Sequence, residues 1–138
     1  MNNSSKPIGK ADDDAKILII EALEGELTGG FDLDSIYRLK DKYIVLEFLK
    51  CDTVRPNDSH PQRYWKKNKQ KFISLWEITT KLEGDLYLIN YEASREQFKI
   101  IKVIELNESG IQKEIIRKWD FDKFKKWFKG LNKSALEK

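Results

Sequence analysis

The chain has 138 residues, of which 36% are charged and 40% hydrophobic, with seven Phe, five Tyr and four Trp. That suffices for one domain with its own core and has the composition of a packed protein rather than a disordered one. A lone cysteine, Cys51, excludes an intramolecular disulfide, and a lone histidine, His60, leaves nothing from which to build a zinc set or a His-based triad.

Residues 1–12 read as a polar, flexible tail, and residues 13–138 as a single domain. The run Asp12-Asp13-Asp14 supplies a cap and first-turn negative charge for a helix over about 15–27, ended by Thr28-Gly29-Gly30. Ile17, Ile20, Leu23 and Leu27 recur near helical spacing, which predicts an apolar stripe packed on a sheet, with Glu21 and Glu24 near its border. Two strands follow, at about 31–39 and 43–50, joined by Lys40-Asp41-Lys42. Tyr43-Ile44-Val45-Leu46 is nearly continuous and β-rich, which predicts a central strand covered on both faces.

Cys51 to Ser59 reads as a loop, and Ser59-His60-Pro61 as the start of a long helix reaching about Leu82. Trp65, Phe72, Leu75, Trp76, Thr79 and Leu82 hold to one face of it, so both tryptophans are read as core. Leu86 to Tyr91 is a further apolar strand. Phe98 to Leu106 alternates, with Phe98, Ile100, Ile104 and Leu106 on one face, and pairs through the turn Asn107 to Gly110 with a strand over about 111–119. A last helix from Asp120 puts Phe121, Phe124, Trp127, Phe128 and Leu131 inward, with Gly130 and Asn132 near its end. The expected class is therefore α/β, a central mixed sheet flanked by helices, with a C-terminal hairpin and helix. The longest apolar run, Ile17 to Ile20, is far short of a membrane span, and the first residues lack a secretory core, so the cytoplasm is the expected compartment. No organic cofactor is expected.

Carboxylates inside strands need a reason, because an isolated buried acid costs several kcal/mol or neutralises itself. Asp34 and Glu47 are the two to explain, Glu47 above all because it follows four apolar residues. The bland reading has them at strand edges or ends facing solvent, or in salt bridges to Arg38 and Lys50. From Glu24 to Tyr91, however, the order of elements, with Gly30-Phe-Asp-Leu-Asp34 followed by Tyr43-Ile-Val-Leu-Glu47-Phe-Leu-Lys50, resembles the PD-(D/E)XK nuclease superfamily, which includes restriction enzymes and Holliday-junction resolvases. The resemblance implies a restriction-endonuclease-like core and a DNA endonuclease using Mg²⁺, or Mn²⁺ in its place. It implies metal binding by Asp34 and Glu47, and a supporting helix acid at Glu24 or Glu21. Two or three such carboxylates suit Mg²⁺, which keeps several waters and can activate one of them against a phosphodiester.

The sequence departs from the family pattern in two places. Only one strand fits between the first helix and Asp34, and the position two residues after the second acid, where the family lysine belongs, is Leu49. Lys50 would need a bulge to reach the Glu47 face, or a lysine of the long helix, Lys67, Lys69 or Lys71, would have to take over. Residues 1–50 carry ten acids against seven bases, leaving a surplus of six positive charges over residues 51–138. Arg63, Lys66, Lys67, Lys69 and Lys71, with no acid among them, are the expected phosphate contacts to DNA. A homodimer would supply one site per strand. The competing expectation, raised by Leu49, is an inactive nucleic-acid-binding or protein-interaction module on the same fold. Cys51 is read as a small buried hydrophobe and His60 as a contact to the following helix.

Overall fold

A computed structural model describes residues 14–137. The expected tail over residues 1–12, and the capping acids Asp12 and Asp13, lie outside them. The chain divides into two compact units, one ending at Asp32 and the other beginning at Leu33.

The first unit contains α1 (Asp14–Leu23) and an irregular segment in which Asp32 stands 3.9 Å from Lys16. The helix stops four residues earlier than its apolar spacing predicts. Glu24 (φ 49°) and Gly25 (φ 89°) are both left-handed, and the Glu26 N–H donates to the Leu23 carbonyl at 2.9 Å. Gly25 is the helix-stop signal, since glycine adopts that conformation without a Cβ penalty. No residue of α1 is buried, contrary to the expected packed stripe. Ile17-Leu18-Ile19-Ile20 are consecutive, and at about 3.6 residues per turn four in a row encircle a helix instead of marking one side.

The second unit is a five-stranded mixed sheet with a helix on each face, which makes the protein a mixed α/β fold. The strands are β1 (Ser35–Arg38), β2 (Tyr43–Lys50), β3 (Asp85–Tyr91), β4 (Phe98–Asn107) and β5 (Gly110–Trp119), in the spatial order β1-β2-β3-β4-β5. Only β2 and β3 are parallel, and α2 (Trp65–Lys81) makes the crossover between them. β1 is shorter than expected and lies at the sheet edge, while β2, as its apolar run predicts, is interior.

Alternation along the strands divides the core in two. Val45, Leu86, Leu88, Ile101, Val103 and Leu106 pack with Phe72 and Leu75 of α2, and Trp65 and Trp76 join them. Ile44, Leu46, Ile89, Phe98 and Ile100 pack on the other face with Phe124 of α3 (Phe121–Leu136). The expected single face of β4 is broken: the pairing with β5 shifts register around Ile104, which is left exposed while Leu106 turns to the α2 side. An extra residue in one strand of a pair moves every later side chain to the other face.

Local chemistry explains the helix ends. Asp120 caps α3, accepting from the Lys123 N–H at 2.9 Å, and the helix continues through Gly130 and Asn132 to Leu136. The expected helix from Pro61 begins instead as a 3-10 turn, Pro61–Tyr64, before α2. The His60 ring caps it, with Nδ1 accepting from the Gln62 N–H at 3.0 Å. After α2, Gly84 passes so close to the Tyr43 backbone that a Cβ would collide with it. Among the described residues no helix is long and apolar enough to cross a membrane.

Candidate functional site

Glu47 is the outlier of the core. It follows Ile44, Val45 and Leu46 on an interior strand and is 1% exposed, among the most buried side chains of the described residues. Alternation puts it on the α2 face, between Val45 and Leu49. The β1–β2 register, in which Ser35 faces Leu46, places Asp34 opposite Glu47 when extended by one residue. Asp34 is thus delivered by the mouth of the edge strand, is exposed, and accepts a hydrogen bond from the Phe48 N–H at 2.8 Å.

The third member comes from α2. Lys71 precedes Phe72 and lies one turn before Leu75, both buried against the sheet, so its side chain runs along the sheet side of the helix. Its Nζ stands 2.8 Å from Glu47 Oε2. The approach does not have hydrogen-bond geometry, and Glu47 Oε2 is a buried oxygen without a hydrogen-bond partner. Burial pushes the Glu47 carboxyl up to about 8, the adjacent Asp34 carboxyl adds to the rise, and Lys71 opposes it. Desolvation and like charge outweigh one cation here. At neutral pH Glu47 therefore holds its proton, which a bound cation would displace.

The structure thus brings together Asp34, Glu47 and Lys71. Lys50 is not the lysine that joins them: β2 pairs with β3 without interruption from Ile44 to Lys50, so no bulge swings it round. It is exposed, with Nζ 3.7 Å from Asp52. Leu49 packs against the α2-side core. Glu24 stands in the first unit, on the left-handed residue that follows α1, and Glu21 is in that helix. Among the described residues no group of three or more His, Cys, Asp and Glu side chains is arranged to hold a metal ion.

The basic run splits over the surface of α2. Lys67 lies one turn before Lys71, on the same side of the helix. Lys69 reaches the β4–β5 turn, 3.9 Å from Glu108. Lys66 and Arg63 are exposed, and the Arg63 guanidinium lies 6.0 Å from the centre of the Tyr64 ring. His60 is occupied: with Nδ1 accepting from Gln62, the proton sits on Nε2 and is donated to Glu114, 2.8 Å from Oε2. Burial pushes the Cys51 thiol up, the opposite of what an activated thiolate needs.

A cavity of about 470 Å³ opens directly beyond Glu47 along β2 and one turn back along α2. Leu49 and Phe72 line its apolar side, and Tyr64, Lys67, Asn68 and Asn90 bring polar groups to it. Sequence reasoning missed it. The one available signal was Asn90, a polar residue after Leu88-Ile89 on an otherwise apolar strand.

The fold and this cluster define a mixed α/β protein with an acid pair and a lysine held at the parallel β2–β3 crossover. Comparison with protein-family models, curated proteins and solved structures found no match.

Proposed function

We propose that the protein is a metal-dependent DNA endonuclease of the PD-(D/E)XK type in which Lys71, carried on α2, does the work of the lysine missing at Leu49. The observation that carries the reading is Glu47: a carboxylate buried in an interior strand, beside Asp34, with Lys71 Nζ 2.8 Å from its Oε2. Burial and the neighbouring Asp34 outweigh what Lys71 returns, so the Glu47 carboxyl stays raised, and groups perturbed in this way cluster at functional sites.

The donor set suits Mg²⁺ or Mn²⁺. Mg²⁺ is commonly held by one or two carboxylates and completes its shell with water and substrate phosphate, so the Asp34–Glu47 pair suffices without Glu24. Bound there, the ion supplies Lewis-acid polarisation of a phosphoryl oxygen and lowers the pKa of an attacking water. The chain supplies the rest. Asp34 is oriented by the Phe48 N–H, and Glu47 is fixed by the interior strand. Lys71 offers a cationic donor beside Glu47, where it can orient the nucleophile and stabilise charge developing on the phosphorus oxygens. Lys67 on the Lys71 side of α2, with Lys66 beside it and Arg63 in the preceding turn, gives the start of the helix a positive approach for the phosphate backbone. A homodimer would place one such site on each strand of a duplex.

The test is cleavage of supercoiled plasmid with Mg²⁺, with Mn²⁺ and with EDTA, for the wild type and for Asp34→Asn. The reading expects metal-dependent nicking that EDTA and the substitution both abolish; nicking that survives Asp34→Asn refutes it. Leu49, at the position where the family lysine belongs, favours a second reading, an inactive DNA-binding module. Salt-sensitive DNA binding with no cleavage under any metal would establish that alternative.

A further inference from the structure

The cavity beyond Glu47 has no part in the hydrolysis just described, yet it is built with care. Its wall is the segment 51–60, and that segment is tied down by buried polar groups. Lys99, 7% exposed, donates its Nζ to the Ser59 carbonyl at 2.7 Å, and Asn90, 2% exposed, donates to the same oxygen at 3.2 Å. Arg55 grips Glu92 through two nitrogens, at 3.0 and 2.7 Å, and holds that carboxyl down to about 2. The Asn57 N–H donates to Gln97 at 3.1 Å. A loop anchored at its middle and its end by a buried lysine, a buried amide and a bidentate arginine forms a fixed wall, and the cavity is preformed.

Its chemistry is mixed in a particular way. Leu49 and Phe72 offer an apolar side, Asn68 an amide, and Tyr64 an aromatic ring that is 45% exposed. Lys67 adds a cation on the side nearer Lys71. The volume, about 470 Å³, lies within the range of roughly 300–1,000 Å³ typical of small-ligand sites. A flat heteroaromatic group with polar edges, attached to a phosphate, matches all of these features. A nucleobase next to the phosphate at Asp34 and Glu47 is such a group.

We infer that the cavity receives one unpaired base flanking the scissile phosphate, with Tyr64 as its stacking surface, Asn68 as its edge contact and Lys67 on the adjoining phosphate. The inference rests on the reading that the ligand of the site is DNA. A base within a duplex is paired and stacked and has to leave the helix to enter a pocket, a cost that falls when it is already unpaired. The substrate class is therefore DNA with an unpaired nucleotide beside the cut, such as a bulge, a frayed end or a flap, in preference to uniform duplex.

The experiment is a fluorescence-anisotropy titration in EDTA with three labelled duplexes of equal length: fully paired, with one unpaired thymidine, and with an abasic residue at that bulge. The bulged duplex is expected to bind about 10-fold more tightly than the paired one, in line with the worth of one base–aromatic stack. The abasic bulge should lose that gain, as should Tyr64→Ala, while Tyr64→Phe should retain it. Equal binding of bulged and abasic duplexes would show recognition of a kink rather than a base and would overturn the inference, as would equal binding of all three. Parallel incubation with Mg²⁺ separates the two readings. Cleavage without a bulge preference leaves the nuclease and removes the cavity's role; a bulge preference without cleavage does the reverse.

Discussion

Replacing Glu47 with Gln should stabilise the folded protein at high pH and leave it nearly unchanged at low pH. The Glu47 carboxyl is raised from its ordinary 4.5 to about 8, chiefly by burial and next by Asp34. The folded state therefore holds a proton to higher pH than the unfolded chain does. The stability that Glu47 contributes is complete below about pH 4.5 and is lost as the pH climbs through about 8. At about 1.4 kcal/mol per pH unit, the gap corresponds to a loss of about 5 kcal/mol, an upper figure because an ionised Glu47 can draw closer to Lys71 and admit water. The glutamine amide keeps the shape of the protonated acid and does not titrate. Urea unfolding without divalent cations should give wild type and Glu47→Gln within about 1 kcal/mol of each other at pH 5, and the variant ahead by about 3–5 kcal/mol at pH 9. Titrating groups that do not touch Glu47 cancel in the difference, which leaves Glu47 and its two neighbours, Asp34 and Lys71. A variant less stable than wild type at pH 9, or a difference that does not change with pH, would refute the argument that Glu47 is held against its desolvation cost.

The same proton predicts how cations bind. A divalent ion between Asp34 and Glu47 must displace the Glu47 proton, so Mn²⁺ affinity should rise by about tenfold per pH unit below pH 8 and level off above it. Calorimetry in buffers of different ionisation enthalpy should register about one proton released per ion at pH 7; release of none would contradict a protonated Glu47. Away from the site, Asp120→Ala removes the cap on the Lys123 N–H and should cost about 1 kcal/mol in urea unfolding, with cleavage unchanged.

What the sequence revealed and what it hid follow from the range of the forces involved. Five strands and the two long helices could be read from local pattern, because the periods of the apolar residues are local and the sheet buries both faces of its inner strands. Asp34 and Glu47 stood out for the same reason, as acids in apolar surroundings. The end of α1 was misplaced because Ile17 to Ile20 mimic a stripe while Gly25 quietly supplies the stop. The face of β4 was misread past Ile104 because a bulge leaves no apolar signature. The lysine was the hardest part. Lys67, Lys69 and Lys71 are equivalent as residues in a basic helix, and what singles out Lys71 is its place beside Phe72 and one turn before Leu75, which fixes its side of α2 against the sheet. The cavity was invisible because its wall is a loop held by Lys99, Asn90 and Arg55, contacts spanning some 30 to 40 positions of sequence.

In the proposed mechanism Lys71 serves the Asp34–Glu47 pair in place of a lysine at position 49. That role is tested most directly by the Mg²⁺-dependent cleavage rate of Lys71→Met beside Lys50→Met, each with DNA affinity measured in EDTA. The account predicts that Lys71→Met cleaves about 10²–10³-fold more slowly, the usual cost of losing one charge-stabilising donor, while binding DNA within a few-fold of wild type. Lys50→Met should cleave at the wild-type rate. The reverse pattern, with Lys50 essential and Lys71 dispensable, would contradict it.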